Sequence, residues 1–491
     1  MSLESYDKNS KKKIGAPLGW MLVIIIVAGS SMLLTKLFEV EKPQLTIETK
    51  VSVIGRHKTV KVIAVDQKSG IKSVEATIQQ GSKKAIVFQR KIPSAGLFSG
   101  SDTKKIEQSI DIDAVAPGFA DGPADLTISV RDFSFMGMRN GNEAKEVVKV
   151  SVDTKPPKIQ IVVESPAAIK PGGSGLVVYK TDEEITDHGV TINGLRYPGF
   201  PILARGKDTF GALIGIPHDT EKIDSAAVTA QDLAGNPVNV PLGLNLRKVV
   251  TQTNRIEIDD AFLQGKMPEL GEHYPEMTGD LVDQYLYANR KVRDRNELQI
   301  QELTSHATPE RLWDGAFGKM RRSARKTGFA DQQVYFYKGA EIDRQVNLGI
   351  DLASVPQAPV EAVCKGRVVF ADYMGIYGNM IILDHGLGVF TLYSHLSAIE
   401  AKVGELVEKE AVIGRTGPTG MADGDYLHFV VLINGVFVNP AEWWDTSWLS
   451  LNVLSYLAPP AEPAASAQTT AEPEASSAKA ATPAKGEVIA N

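Results

Sequence analysis

The hydrophobic pattern changes character several times along the chain. From Ile14 to Thr35 the run IGAPLGWMLVIIIVAGSSMLLT carries no formal charge. At about 1.5 Å per residue it is long enough to cross a hydrocarbon core of about 30 Å. Beyond it, residues 43–153 alternate with period two. TVKVIAVD sets Val60, Val62 and Ala64 on one face, and LTISVRD does the same with Leu126, Ile128 and Val130, as half-buried strands do. DQKSG and APGFADG punctuate these runs as turns. Pro156 and Pro157 in VDTKPPK make a stiff joint, and a second β segment covers 158–247.

The period then lengthens over 255–327, a region that reads as a helical linker. Leu281, Tyr285, Ala288 and Val292 share one helical face, with Thr278 as the expected cap, and Thr308-Pro309-Glu310 reads as another helix start. The charged run NRKVRDRNE is expected to be a solvated helix face, with a partner surface as the other reading. From 328 to 446 short strands return between Gly turns. Residues 458–491 are Ala, Pro, Glu, Ser and Thr with few large apolar side chains, the composition of a disordered tether. The expected fold class is mainly β: an N-terminal transmembrane helix, two β-sandwiches, a helical linker and a C-terminal β domain.

Charge orients this arrangement. Lys11, Lys12 and Lys13 precede the apolar run, whereas Lys36 is followed by Glu39 and Glu41. The bias predicts a single-pass anchor over 14–37 in the inner membrane, with residues 1–13 cytoplasmic and the bulk of the chain in the periplasm. A cleaved signal peptide competes, since AGSS supplies small residues, although the run exceeds a signal core of roughly 7–15 residues. The net charge of −6 over 491 residues, with no basic block, gives no reason to expect nucleic acid. Cys364 is the only cysteine, so no internal disulfide forms. In EAVCKGRVVF it reads as a small buried strand residue.

VTAQDLAGNPV, with Ala230, Asp232, Ala234, Gly235 and Asn236, resembles the closing turn of bacterial immunoglobulin-like repeats, and SVRD occupies a comparable place in the first segment. Spacing or binding is the role this suggests for both sandwiches.

The chemistry concentrates in the last β block. In YLHF, Tyr426 and His428 stand at i and i+2 and so project from one strand face, while Leu427 faces the core. YSHLS places His395 at another strand end, and NLGIDLA brings Asn347 and Asp351. Together with YGNMIILDHG, VGELVEKEAVIGRTGPTG and VNPAEWW, these motifs resemble the LytM/lysostaphin family of zinc endopeptidases, which cut peptidoglycan peptides. The resemblance implies zinc held by three side chains and two further His that orient or deprotonate water. Asp351 and His428 match metal ligands, and His395 matches a catalytic His. Asn347 stands where a metal-binding His is expected, and Tyr426 where the other catalytic His is expected. Tyr377, Gly378 and Asn379, with Gly417 and Gly420, match a substrate groove; for the glycines, simply permitting the fold is an equal reading.

Neutral amide oxygen is a poor zinc donor, and an unperturbed Tyr titrates near 10. His385 is the nearest spare His. The pattern favours a wall-bound, catalytically impaired domain that binds peptidoglycan or regulates cell-wall amidases or other hydrolases. An active zinc endopeptidase and a structural spacer or adhesin are the alternatives.

Overall fold

A computed structural model describes residues 20–21, 23–31, 38–96, 100–136, 140–165 and 168–459. Residues 20, 21 and 23–31 of the expected anchor are helical and exposed; the remainder of that span, residues 1–13 and the tail from 460 lie outside the described residues. Among the described residues no helix is long and apolar enough to cross a membrane.

The fold is mainly β. Two sheets form over 44–152. One has the strand order Gln44–Ile47, Lys58–Val65, Lys105–Ile112. The other runs Val53–Ile54, Glu143–Val152, Gly122–Asp132, Ile71–Gln80, Lys83–Lys91. The alternating apolar residues face each other between them: Val60, Val62, Ala64, Leu126, Ile128 and Val130 are all buried in a core of their own. A second pair of four-stranded sheets follows over 159–241.

The turn after Ala226–Asp232 fastens these two units. Asn236 donates from Nδ2 to Asp232 Oδ2 at 2.8 Å and to the backbone carbonyls of Asp153 and Lys155 at 2.9 and 3.2 Å. Gly235, at φ 84°, lies so close to the first unit that a Cβ would stand 2.1 Å from the His57 carbonyl oxygen. Gly235→Ala therefore combines left-handed strain with a backbone clash and is expected to cost about 2 kcal/mol or more. The denaturant midpoint reports it; an unchanged midpoint contradicts this role.

The third unit is a ten-stranded sheet whose central path runs Ala324–Thr327, Ile350–Ala353, Leu427–Ile433, Val389–Ile399, Asn379–Asp384, Gly366–Tyr373, Leu406–Val407. Its central strands read as unbroken apolar runs because both faces are covered. Phe429, Val431 and Ile433 share one core with the second sandwich and with Trp313, Phe317 and Trp443. Val430 and Leu432 face the helical segment, against Leu263, Met267, Tyr285 and Val292. At the sandwich junction Trp443 Nε1 donates to Ser174 Oγ at 3.0 Å, and Glu442 Oε2 accepts from Ser174 N at 2.8 Å.

The segment expected to be a helical linker is built into this unit. Its helices, Asp260–His273, Leu281–Tyr287 and Arg293–Leu303, end well before 327. Strand Thr253–Ile258 pairs in parallel with Gln332–Tyr337, and Ala324–Thr327 joins the large sheet. Asp280, rather than Thr278, caps the second helix: its carboxylate accepts from Val282 N and Asp283 N, completing a capping box. Thr308 starts no helix, because its N and Oγ1 both donate to Asp384 Oδ2, at 2.7 and 2.6 Å. The charged run is solvated on one side only; Asn289, Val292 and Asn296 are buried at helical spacing. Cys364 is buried as expected, but it sits in a bend before the strand.

Candidate functional site

Strand pairing assembles the centre. Ile350–Ala353 runs antiparallel to Leu427–Ile433 with Asp351 directly opposite His428, and Ser394 lies opposite His428 on the other side. Cross-strand neighbours on one face come within side-chain reach, and His428 Nδ1 meets Asp351 Oδ1 at 2.7 Å. Gly349 leaves room for this pair, since a Cβ there would stand 2.8 Å from His428 Nε2. His395 sits within Val389–Ile399 at φ 63°, an uncommon conformation for a non-glycine residue. Its Nδ1 contacts the Thr419 carbonyl at 2.9 Å, and its ring lies 5.1 Å from that of Tyr426 and 5.9 Å from that of His428.

These residues line one side of a cavity of about 440 Å³. Asn347, Asp351, His395 and His428 are all buried. Tyr377 also lines the cavity. The other groove candidates serve a different contact: Asn379 N donates to Thr419 Oγ1, its Nδ2 donates to the Leu396 carbonyl, and the backbones of Gly378 and Gly420 meet each other. Gly417 packs against Ser397 in the same way. Gly378, Asn379 and Gly420 hold the 377–379 and 417–420 loops together, and Gly417 seats the second loop on the Val389–Ile399 strand.

The donor set does not fit a resident catalytic zinc, which requires three protein ligands and an open position. The Asn347 amide is oriented by its surroundings: Nδ2 donates to the carbonyls of Gly328 and Gly349, both at 3.1 Å. Rotating the amide would set its oxygen against two carbonyl oxygens. The same NH₂ lies 3.5 Å from Asp351 Oδ2, so a hydrogen donor, rather than a lone pair, faces the carboxylate. Of the three positions matched to metal ligands, Asp351 and His428 alone remain as strong donors, and His395, which matches a catalytic His, turns Nδ1 to the Thr419 carbonyl. Among the described residues, the acidic or His groups that converge closely enough to suit a cation are elsewhere: Glu39, Asp66 and Asp132, and Asp153, Glu183 and Asp232. His385 offers no rescue, because its two ring nitrogens already contact the Lys365 carbonyl and Thr391 Oγ1.

Burial sets the electrostatics. It tends to raise the Asp351 carboxyl, but the hydrogen bond and charge of His428, aided by His395, more than offset it and leave the group below its usual value. Burial, with the charge of His428, pushes His395 down to about 3. Tyr426 is raised well above its ordinary value by burial and then by Asp351 and Asp423, so its phenol stays neutral and can donate a hydrogen bond without acting as a base.

A pH dependence follows from these shifts. His385, lowered by burial to about 4, and His395 are neutral in the fold but titrate near 6.5 when unfolded. Their contribution is complete above about 6.5 and is lost as pH falls toward the folded values. Depressed Asp351 adds a loss in the same direction at still lower pH. Glu442, raised by burial to about 7, runs the other way, contributing below its unfolded value and losing that contribution as pH rises through 7. His188 and His218, lowered by burial, add to the imidazole share. Glu39, Asp132, Glu183 and Glu297, raised by burial, act with Glu442 against it. Glu442→Gln removes one opposing carboxyl and is expected to make the melting temperature climb between pH 4.5 and 6.5 more steeply than in the unmodified chain. An equal calorimetric slope in the two proteins over that range contradicts the assignment.

Sequence reasoning missed the opposite side of the cavity. Tyr285, Asn289 and Arg293 come from the helical segment and Tyr335 from the strand that follows it. The usable signal was Asn289, Val292 and Asn296, non-charged residues at helical spacing inside a charged run.

Comparison with known proteins agrees on the block that holds the centre. The model of Peptidase family M23 matches residues 345–440. DD-carboxypeptidase/endopeptidase Mpg of Neisseria meningitidis serogroup B is 42% identical over 96 residues, 20% of this chain and 22% of its own. Peptidoglycan DD-endopeptidase ShyC of Vibrio cholerae is 28% identical over 163 residues, covering 33% and 32% of the two chains. Murein hydrolase activator EnvC of Escherichia coli K12 is 30% identical over 95 residues, covering 19% and 23%. The chain thus matches only between about a fifth and a third of the length of these relatives. Across residues 345–440, the chain carries a domain of Peptidase family M23.

Proposed function

We propose that this protein is a bacterial cell-wall protein whose M23 domain engages peptidoglycan without cutting it and regulates wall hydrolases. In this reading the N-terminal segment holds the chain in the inner membrane, and two immunoglobulin-like sandwiches space the M23 domain from that anchor in the periplasm. The observation that carries the proposal is the Asn347 amide, whose nitrogen is committed to two backbone carbonyls where the resemblance calls for a zinc-binding imidazole. Neutral Tyr426 supports it, since the position expected to hold a base holds a hydrogen-bond donor. Likeness both to peptidoglycan endopeptidases and to a murein hydrolase activator supports the wall as the setting.

Sedimentation of the full chain with purified peptidoglycan sacculi tests this reading. The protein is expected in the pellet, equally with and without a metal chelator, because binding rests on the cavity and its loops. A chain that stays in the supernatant, or that pellets only when metal is present, contradicts the proposal.

A further inference from the structure

The cavity above Asp351 and His428 is walled on its far side by residues from outside the M23 domain. Helices Leu281–Tyr287 and Arg293–Leu303 join through a π-helical turn, Ala288–Val292. Such turns are rare, and where they interrupt α-helices they are often found at functional sites. Directly after this one, Arg293 reaches the cavity wall.

Its guanidinium is held in one orientation by neutral groups. Nε donates to the Asn289 carbonyl at 3.1 Å and Nη2 to Asn289 Oδ1 at 2.6 Å, while Asn289 Nδ2 is anchored on buried Asp343 at 2.8 Å. The other cations of the lining are matched: Arg255 pairs with Glu257, and Lys326 with Asp423. Among the described residues Arg293 has no carboxylate at ion-pair distance; Glu297, one turn further along the helix, acts on it only through its charge. Fully buried Tyr285 lines the same wall, and its hydroxyl has no hydrogen-bond partner. A buried hydroxyl is normally satisfied, and a fixed guanidinium suits a carboxylate, which it can grip through two parallel N–H groups. The cavity volume falls within the range of about 300–1,000 Å³ common for small-ligand sites.

We propose that Arg293, with the free hydroxyl of Tyr285, binds the terminal carboxylate of a peptide whose chain lies over Asp351 and His428. The former catalytic groove becomes a receptor for a carboxyl-terminated peptide. This deepens the reading above and rests on it, in that the peptide is one borne by peptidoglycan. The aromatic walls, Tyr335 and Tyr377, pack beside the chain while Arg293 reads its end.

The test uses the full chain and two probes, diacetyl-Lys-D-Ala-D-Ala and its C-terminal amide, titrated calorimetrically. The unmodified protein is expected to bind the acid about 10-fold more tightly than the amide, the scale of one charge-assisted bidentate contact. Arg293→Gln is expected to bring the acid down to the affinity of the amide, while Arg293→Lys recovers part of the difference. Tyr285→Phe, which keeps the ring's packing, weakens the acid by about 3-fold without lowering the melting temperature, and it decides the matter if Arg293→Gln does not fold. Equal affinity for acid and amide, or no binding of either by a chain that still sediments with sacculi, overturns this proposal alone. If the chain binds neither peptide nor sacculi, the broader reading falls with it.

Discussion

Replacing Asn347 and Tyr426 together by His is expected to raise zinc affinity by about 100-fold or more over the unmodified chain. A hundredfold gain corresponds to about 2.7 kcal/mol. The physical reason lies in the donors. Imidazole is a good ligand for this borderline metal, whereas the amide now present turns its NH₂ toward Asp351 and the Gly328 and Gly349 carbonyls. Asn347→His alone should deliver most of the gain, because it completes a set of three strong ligands with Asp351 and His428. Tyr426→His alone should deliver almost none, since that position matches a water-activating residue and not a ligand. Competition against a chromophoric chelator separates the four proteins. An unmodified chain that holds zinc as tightly as the double variant contradicts the account.

Trp443→Ala is expected to destabilise the protein by about 3–5 kcal/mol, the cost of removing a fully buried aromatic. Trp443 packs 5.5 Å from Trp313 and 5.1 Å from Phe317, ring to ring, and its indole N–H reaches Ser174 across the junction. The loss empties the place where the second sandwich and the large sheet share one core. Calorimetry should therefore show a lowered transition that broadens or splits as the two units uncouple. A loss below about 1 kcal/mol with a single sharp transition would show that the junction does not depend on this side chain.

The sequence exposed those parts of the structure that are governed by local pattern. Period-two alternation identifies the faces on which Val60, Val62, Ala64, Leu126, Ile128 and Val130 are buried, because a strand shows one face per alternate residue. The M23 block is legible from ordered motifs, and the i, i+2 spacing of Tyr426 and His428 is enough to place both on the cavity side. What pattern does not reveal is which segment covers a groove. Residues 255–303 have the helical period of a connector, yet Leu263, Met267 and Tyr285 bury against the sheet, and Arg293 enters the cavity from a run rich in charge. Helix boundaries failed for a related reason. Thr308 looks like a cap until Asp384, far along the chain, takes both of its donors. The glycines read as a groove are a third case, since loop-to-loop packing and ligand approach make the same demand for a missing Cβ.

The central proposal is that this M23 domain binds a peptide in its cavity without hydrolysing it. Muropeptide release from purified sacculi tests it most directly, with zinc supplied in excess and an active M23 endopeptidase run alongside. The account predicts no soluble muropeptides above the protein-free background, from a chain that sediments with the same sacculi. Chelator-sensitive release by the unmodified chain would contradict it.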